Sequence, residues 1–302
     1  MKKILLLIFL SFLLVSCQEH TEIIVNENTY LMVHDQSEYD IDSYYLDVFL
    51  DESTHRLTVT GELIYFNDEQ DYNELYIMFY PNAYNPSEEG YNVDVEYISI
   101  NHKPIDYAFV GYDATSMLIE FEETLEKDDN IRISFKYSFT YWTFDRIMHQ
   151  DNDYLTMFFY PFVALYDESG WHNDEYTFFG ESYFNELGDY YVSINVPKDY
   201  QIATSGMALN TTELDNRKRV DYYLGNARDF SFSASPNYVN YHQQIDDISV
   251  DIYSLGGLEP EEQTQMFQII EDSFSVFEDY LGPYDQTHFT VEFGHFYGME
   301  ST

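Results

Sequence analysis

The histidines of this chain lack the spacing of a zinc hydrolase centre. Such a centre commonly places two histidines four residues apart on one helical face, with an intervening glutamate that activates water (H-E-x-x-H). None of the nine histidines is followed by glutamate, and no two are four residues apart. His288 and His295 flank a predicted strand, which makes them poor zinc ligands. We therefore expect this chain to bind no metal and to catalyse no hydrolysis alone.

Other catalytic signatures are also missing from the sequence. It contains no G-x-S-x-G nucleophile motif and no glycine-rich phosphate loop. Cys17 is the only cysteine, so a disulfide within the chain, a cysteine metal site and a thiol nucleophile in the folded part are excluded. The 55 acidic residues could supply a glycosidase carboxylate pair anywhere, so the sequence singles out no such pair.

The net charge of −42 restricts the possible partners. Nucleic-acid binding requires cations that neutralise phosphates, and the only tight basic group is Arg217–Arg219, so we expect no nucleic-acid partner. The acidic surface either maintains solubility or attracts cationic peptides. Two acidic clusters, Asp151–Asp153 and Lys127–Asn130, do not match calcium-loop spacing and are interpreted as solvated turns.

The first residues are typical of an export signal. Lys2 and Lys3 precede an apolar run, Ile4–Val15, that is short for a membrane span. The run ends in Leu14-Val15-Ser16-Cys17, which resembles a bacterial lipoprotein box. We predict a lipoprotein signal over residues 1–17, lipidation of Cys17 and a polar tether over 18–38. The protein is then expected in the bacterial cell envelope, attached to the membrane and exposed outside the cytoplasm.

Alternating apolar and polar residues predict a mostly β protein. The alternation indicates an antiparallel, sandwich-like or saddle-like β domain over residues 39–245. The acidic segment Asp51–His55 is predicted to be a hairpin turn. The strands that the pattern predicts are Tyr45–Leu50, Leu57–Phe66, Glu74–Tyr80, Val93–Ile100, Met117–Phe121, Ile131–Phe139, Tyr190–Val196, Val220–Leu224, Phe230–Ala234 and Ile248–Tyr253.

The pattern changes to a helix near residues 243–258. Leu258–Glu262 has a proline and acids at the predicted first turn, and Gly282-Pro283 ends the run. Apolar residues recur at helical spacing and are expected to lack partners on part of the helix; they are Met266, Ile270, Phe274, Phe277 and Leu281. A strand at Phe289–Phe293 follows, so residues 246–302 are predicted to begin an α/β domain as strand, helix and strand.

Three segments together resemble the aminopeptidase-N family of zinc peptidases. The first runs from Tyr160-Pro161 to Val196, and the second is Asn226–Ser231, which contains Arg-Asp-Phe. The third is Phe277–Tyr284 followed by Gly298–Glu300. The resemblance covers most of the chain after the tether. It implies an N-terminal β domain joined to the start of a thermolysin-like catalytic domain that stops before its zinc motif.

The resemblance also implies a peptide-binding role for the last residues. Gly298 and Met299 would offer backbone to a peptide substrate, and Glu300 would bind its free N-terminal amine. A carboxylate suits this task because a charge-assisted hydrogen bond to an ammonium group is stronger than a neutral one. The family has a second acidic anchor in the β domain, for which Glu181 or Glu186 is the candidate. Zinc is expected only in a complete form of the protein.

Two functions remain open at this point. One is the N-terminal part of an exported, membrane-anchored zinc aminopeptidase that removes N-terminal residues from peptides and is inactive in this form. The alternative is a surface lipoprotein that binds peptides without catalysis.

Overall fold

The fold of the β region follows the predicted alternation. The computed structural model describes residues 23–26, 29–32, 41–83, 93–111, 113–177, 180 and 183–295. Its strands before residue 160 are β1 Ile23–Asn26, β2 Thr29–Met32, β3 Asp42–Asp51, β4 Arg56–Phe66, β5 Tyr72–Met78, β6 Val93–Ile100, β7 Lys103–Pro104, β8 Ala108–Val110, β9 Ser116–Leu125, β10 Asn130–Thr140, β11 Ile147–Gln150 and β12 Asp153–Thr156.

Further strands and one long helix complete the described fold. They are β13 Phe162–Val163, β14 Tyr166–Asp167, β15 Gly170–Trp171, β16 Gly188–Pro197, β17 Gln201–Thr204, β18 Met207–Leu214, β19 Arg217–Ala227, β20 Phe232–Ser235, β21 Tyr238–Ile245, β22 Ile248–Leu255, α1 Pro260–Leu281 and β23 His288–Phe293. The mostly β fold class is thereby confirmed, and the domain bounds stay a prediction.

The largest sheet has eight strands in the order β18-β19-β16-β3-β4-β10-β6-β7. Its pairs are antiparallel except for β16, which runs parallel to β3 with Tyr190 opposite Tyr44. A four-stranded sheet, β13-β5-β9-β8, contributes to the same core, which is rich in aromatic rings. Gly61 provides close packing there, because a Cβ at this position would lie 2.7 Å from the ring of Phe135.

Several cations of the large sheet are held in ion pairs. Arg132 on β10 binds Glu62 on β4 at 2.6 Å, and each side chain is only 7% exposed. Ser134 also donates to Glu62, at 3.0 Å. In the basic group noted above, Arg217 pairs with Glu52 at 3.0 Å and Arg219 pairs with Asp47 at 3.3 Å. These arginines therefore link β10 to β4, and β19 to β3 and the turn that follows it.

The second core lies between α1 and the sheet β21-β22-β23. Glu259 and Glu262 form a capping box, and Gly282 ends the helix with its N–H on the Glu278 carbonyl at 3.0 Å, as the start and stop signals predicted. Only part of the apolar face is covered: Ile270 is buried, whereas Leu281 is 82% exposed. Among the described residues, no helix has the length and apolarity needed to span a membrane.

Candidate functional site

Arg146 holds the first half of the loop that precedes β16. The Arg146 guanidinium donates to the Tyr176 hydroxyl at 3.2 Å, to the Thr177 carbonyl at 3.3 Å and to the Gly180 carbonyl at 2.7 Å. It also lies 5.6 Å from the centre of the Tyr183 ring, within cation–π distance. One cation thus joins both sides of the Phe178–Ser182 stretch.

A second arginine holds the end of the same loop. Arg228 donates to the backbone carbonyl of Asn185 at 2.8 Å, and the Asn185 amide donates back to the Arg228 carbonyl. The Tyr190 hydroxyl donates to that carbonyl at 3.0 Å, and the Phe230 N–H donates to the Tyr160 hydroxyl at 3.0 Å. The first two segments of the family resemblance therefore meet in one hydrogen-bonded group.

Of the two acids proposed for the second anchor, the structure describes only Glu186. Glu181 lies outside the described residues. Glu186 is exposed, and partial burial together with the negative charge of Asp68 raises the pKa of its carboxyl, while Arg228 acts in the opposite direction. Glu186 is therefore a solvent-accessible carboxyl on the loop that the two arginines hold.

The last described strand, β23, presents a polar face to the β region. Side chains alternate along a strand, so Phe289 and Val291 pack towards α1 while Glu292 points the other way. Glu292 accepts hydrogen bonds from the Ser233 hydroxyl at 2.6 Å and from the Tyr238 hydroxyl. Burial raises its pKa to about 6, and the charge of nearby Asp153 adds to the shift. Glu292 thus joins β23 to β20 and β21.

Asp153 makes a second junction between the same elements. Its carboxylate accepts from the Ser235 hydroxyl, from the Asn237 amide at 3.1 Å and from the His295 ring at 2.9 Å. Asp151 and Asn152 are exposed in a turn, as predicted, but only 11% of the Asp153 side chain is exposed, so the prediction that Asp153 is solvated is wrong. The carboxylate is hydrogen-bonded in place because burying an unpaired one is costly.

The predicted amine-binding element begins just after this junction. Gly298, Met299 and Glu300 lie outside the described residues, as does Cys17. His295, three residues before Gly298, is the last residue of the chain that the structure describes. The structure therefore describes the chain only as far as His295, and the roles of Gly298, Met299 and Glu300 stay a prediction.

The described residues do not fit a zinc centre. Asp251 lies between His242 at 3.4 Å and His288 at 3.8 Å, and the other nitrogen of His288 is hydrogen-bonded to Thr290 at 2.9 Å. In the described part of the chain, no group of three or more His, Cys, Asp or Glu side chains could hold a metal. No chemical step is therefore assigned to zinc on these residues.

Solved structures similar to this chain are M1 zinc metallopeptidases. The enzyme from Deinococcus radiodurans aligns with a TM-score of 0.55 and 12% identity, over 83% of this chain and 55% of the other. A mutant of it bound to the substrate Tyr-Ser-Ala aligns with a TM-score of 0.55 and 12% identity, over 84% and 56%. A two-domain M1 mutant bound to L-arginine aligns with a TM-score of 0.54 and 13% identity, over 83% and 55%. No family model and no curated protein matches the sequence.

The chain has the fold of the N-terminal portion of M1 zinc metallopeptidases, the aminopeptidase-N family. It spans just over half the length of these structures. The residues that sequence analysis missed are Asp153 and Glu292, which join the two cores. Nothing in their local sequence distinguishes them from the other acids, because their partners come from strands that are distant along the chain.

Proposed function

We propose that this chain is the peptide-binding N-terminal part of a zinc aminopeptidase. The observation that carries the proposal is the alignment over 83% of the chain with an M1 zinc metallopeptidase. Similar structures contain a Tyr-Ser-Ala substrate, L-arginine or L-tryptophan. By this similarity, the substrate is a peptide with a free N-terminal amine.

Amine recognition is assigned to the carboxylates that the resemblance to the family singles out. Glu300 would accept hydrogen bonds from the substrate ammonium, with the backbone of Gly298 and Met299 beside the peptide. Glu181 is proposed as the second anchor, and Glu186 is the alternative on the same loop. The field of a chain with net charge −42 would favour the approach of a cationic amine.

The zinc that peptide hydrolysis requires would be held by residues other than those described. The partly uncovered helix α1 supports this arrangement, because Phe277 is 60% exposed, and Tyr280 and Leu281 are each 82% exposed. Exposed apolar side chains grouped on one element are typical of a surface that another protein segment covers. We propose that the remaining part of the peptidase covers this surface.

The proposal places the protein in the bacterial cell envelope. Cys17 would carry the lipid, and residues 18–38, which include the hairpin of β1 and β2, would connect it to the rest of the fold. An intact mass that matches a chain beginning at a diacylated Cys17 would support this location. A mass that includes residues 1–16, or a mature chain that begins at Cys17 without the mass of the acyl groups, would contradict it.

The proposed activity is tested on the complete product of the gene. We expect release of the N-terminal residue from aminoacyl p-nitroanilides, loss of this activity with a zinc chelator, and its recovery with added zinc. A Glu300→Ala substitution should abolish the preference for a free amine over an N-acetylated peptide. Peptide binding without any hydrolysis would instead support the non-catalytic peptide-binding lipoprotein.

A further inference from the structure

Two of the contacts between the cores are made by carboxyl groups. Glu292 on β23 accepts from the Ser233 hydroxyl at 2.6 Å, and Ser233 is buried in β20, a strand of the aromatic core. Asp153 at the start of β12 lies 2.9 Å from the ring of His295, which follows β23. We call Glu292, Asp153 and His295 the carboxyl junction. It joins the sheet on which α1 packs to the rest of the β region.

Few other ionisable groups face Glu292. Tyr238 at the start of β21 donates its hydroxyl to it, and Tyr253 on β22 is its partner in the parallel register. The strand β17 also lies beside β23 and contains no titratable residue. Among the described residues, no arginine or lysine forms an ion pair with either junction carboxyl, and His295 is the ion-pair partner of Asp153. The junction therefore holds two carboxyls and one histidine.

The charge of the junction changes in mildly acidic solution. Burial raises the pKa of Glu292 to about 6 and the charge of Asp153 adds to the shift, while the hydrogen bonds from Ser233 and Tyr238 oppose it. Histidine side chains lose their charge between about pH 5 and pH 8. In acid, the Asp153 carboxylate therefore faces an imidazolium and a neutral carboxyl, whereas at higher pH two carboxylates remain beside a neutral ring. Like charges in a partly buried site repel each other.

We propose that the carboxyl junction is a proton-dependent contact that holds the two cores together in acid and weakens as Glu292 ionises. This inference does not depend on the proposed function. A raised pKa in the closed junction means that the stabilisation is complete below pH 4.5 and is lost as the pH rises through about 6. Opening should return the carboxyl to its ordinary pKa of 4.5, so the equilibrium constant for opening should be about eightfold larger at pH 8 than at pH 5.

Hydrogen exchange of α1, read by mass spectrometry on the purified full chain, measures how often the second core opens. Glu292→Gln keeps a carbonyl oxygen for one of the two hydroxyls and cannot ionise. After correction for the intrinsic pH dependence of exchange, the protection of α1 in this variant relative to wild type should rise about eightfold from pH 5 to pH 8 and level off above about pH 7. The matched control is Glu271→Gln, which removes an exposed carboxylate from α1 and leaves the junction intact. Its ratio to wild type should not vary with pH.

Asp153→Asn tests whether the two carboxyls act on each other. A double-mutant cycle with Glu292→Gln cancels the loss of the hydrogen bonds that Asp153 accepts from Ser235 and Asn237. At pH 8, repulsion between the two charges predicts that the double variant gains less protection than the product of the two single changes, and at pH 5 this coupling should be smaller. If Glu292→Gln does not fold, Asp153→Asn alone should move the loss of α1 protection to lower pH than in wild type, because removing its charge lowers the pKa of Glu292.

Two results would overturn the inference. One is a Glu292→Gln ratio that stays constant within about twofold from pH 5 to pH 8, because the carboxyl would then titrate alike in the closed and the open junction. The other is an absence of coupling with Asp153 at pH 8, because the junction carboxyls would then not act together. A rising ratio together with coupling at pH 8 would support it.

Discussion

Asp42, the first residue of β3, should make a large contribution to the pH dependence of folding stability. Its side chain is buried, with 8% of the residue exposed, and one oxygen accepts from the Phe66 N–H at 3.1 Å. Burial raises the pKa of the Asp42 carboxyl from 3.8 to about 8, and the charges of Glu186 and Asp68 add to the shift. The folded protein therefore favours the protonated form.

The size of the effect follows from this difference in pKa. A carboxyl with a raised pKa stabilises the fold fully below pH 3.8, and this contribution is lost as the pH rises towards about 8. Within that window each pH unit changes the free energy of unfolding by about 1.4 kcal/mol. Asp42→Asn keeps an oxygen that can accept from Phe66 and removes the ionisation. When the pH rises from 5 to 8, the free energy of unfolding of this variant should increase by about 4 kcal/mol relative to that of the wild type.

Urea denaturation at pH 5, 6, 7 and 8 measures this difference. The matched control is Asp51→Asn, because hydrogen bonds from Ser53 and Thr54 lower the pKa of Asp51, so that residue is ionised throughout this range. Its stability difference from wild type should not vary with pH. A difference for Asp42→Asn that stays constant within about 1 kcal/mol from pH 5 to pH 8 would refute the reasoning, because it would mean that Asp42 is ionised in both states.

Four further variants test the packing. Glu62→Gln should cost about 3 kcal/mol of stability by leaving the Arg132 charge buried, whereas the double variant Glu62→Leu/Arg132→Met should be close to wild type in urea denaturation; equal costs would contradict this. Gly61→Ala should lower stability by about 1–3 kcal/mol through overpacking, and an unchanged urea midpoint would contradict it. Tyr280→Ser/Leu281→Ser should change stability by less than about 1 kcal/mol and reduce self-association in analytical ultracentrifugation; unchanged association would show that the exposed helix face is not adhesive.

Local sequence patterns predicted the elements whose two faces differ in burial. In β16, residues Tyr190, Val192 and Ile194 are buried and the residues between them are partly exposed, which produces the alternation seen in the sequence. The helix α1 was predictable because its proline, capping acids and final glycine are all local signals.

Other features depend on distant residues and were not predictable from local patterns. The strand β20 was predicted to begin at Phe230 but begins at Phe232, because the Phe230 N–H bonds to the Tyr160 hydroxyl rather than to a neighbouring strand. The parallel pairing of β16 with β3 joins strands more than a hundred residues apart, and alternation carries no information about partners. The short strands β13, β14 and β15 are too brief to show any period.

Carboxyls with a raised pKa are a general indicator of functional regions. Strongly perturbed groups collect at functional sites because binding and catalysis need unusual electrostatics, although structural networks also perturb them. Among the described residues, the carboxyls with a raised pKa lie along the loop before β16 or at the junction with β23; they are Asp42, Asp145, Glu186, Asp229 and Glu292.

The positions of these groups follow from contacts already described. Asp145 accepts from the Tyr176 hydroxyl, Glu186 is on the loop and its charge acts on Asp42, and Asp229 follows the arginine that holds the loop. Burial is the largest cause of the shift in each case, so the fold itself keeps weakly acidic carboxyls in this region. Burial raises the pKa of Asp42 to about 8, of Asp229 to about 7 and of Glu292 to about 6, and a cation bound beside any of these carboxyls would stabilise its ionised form.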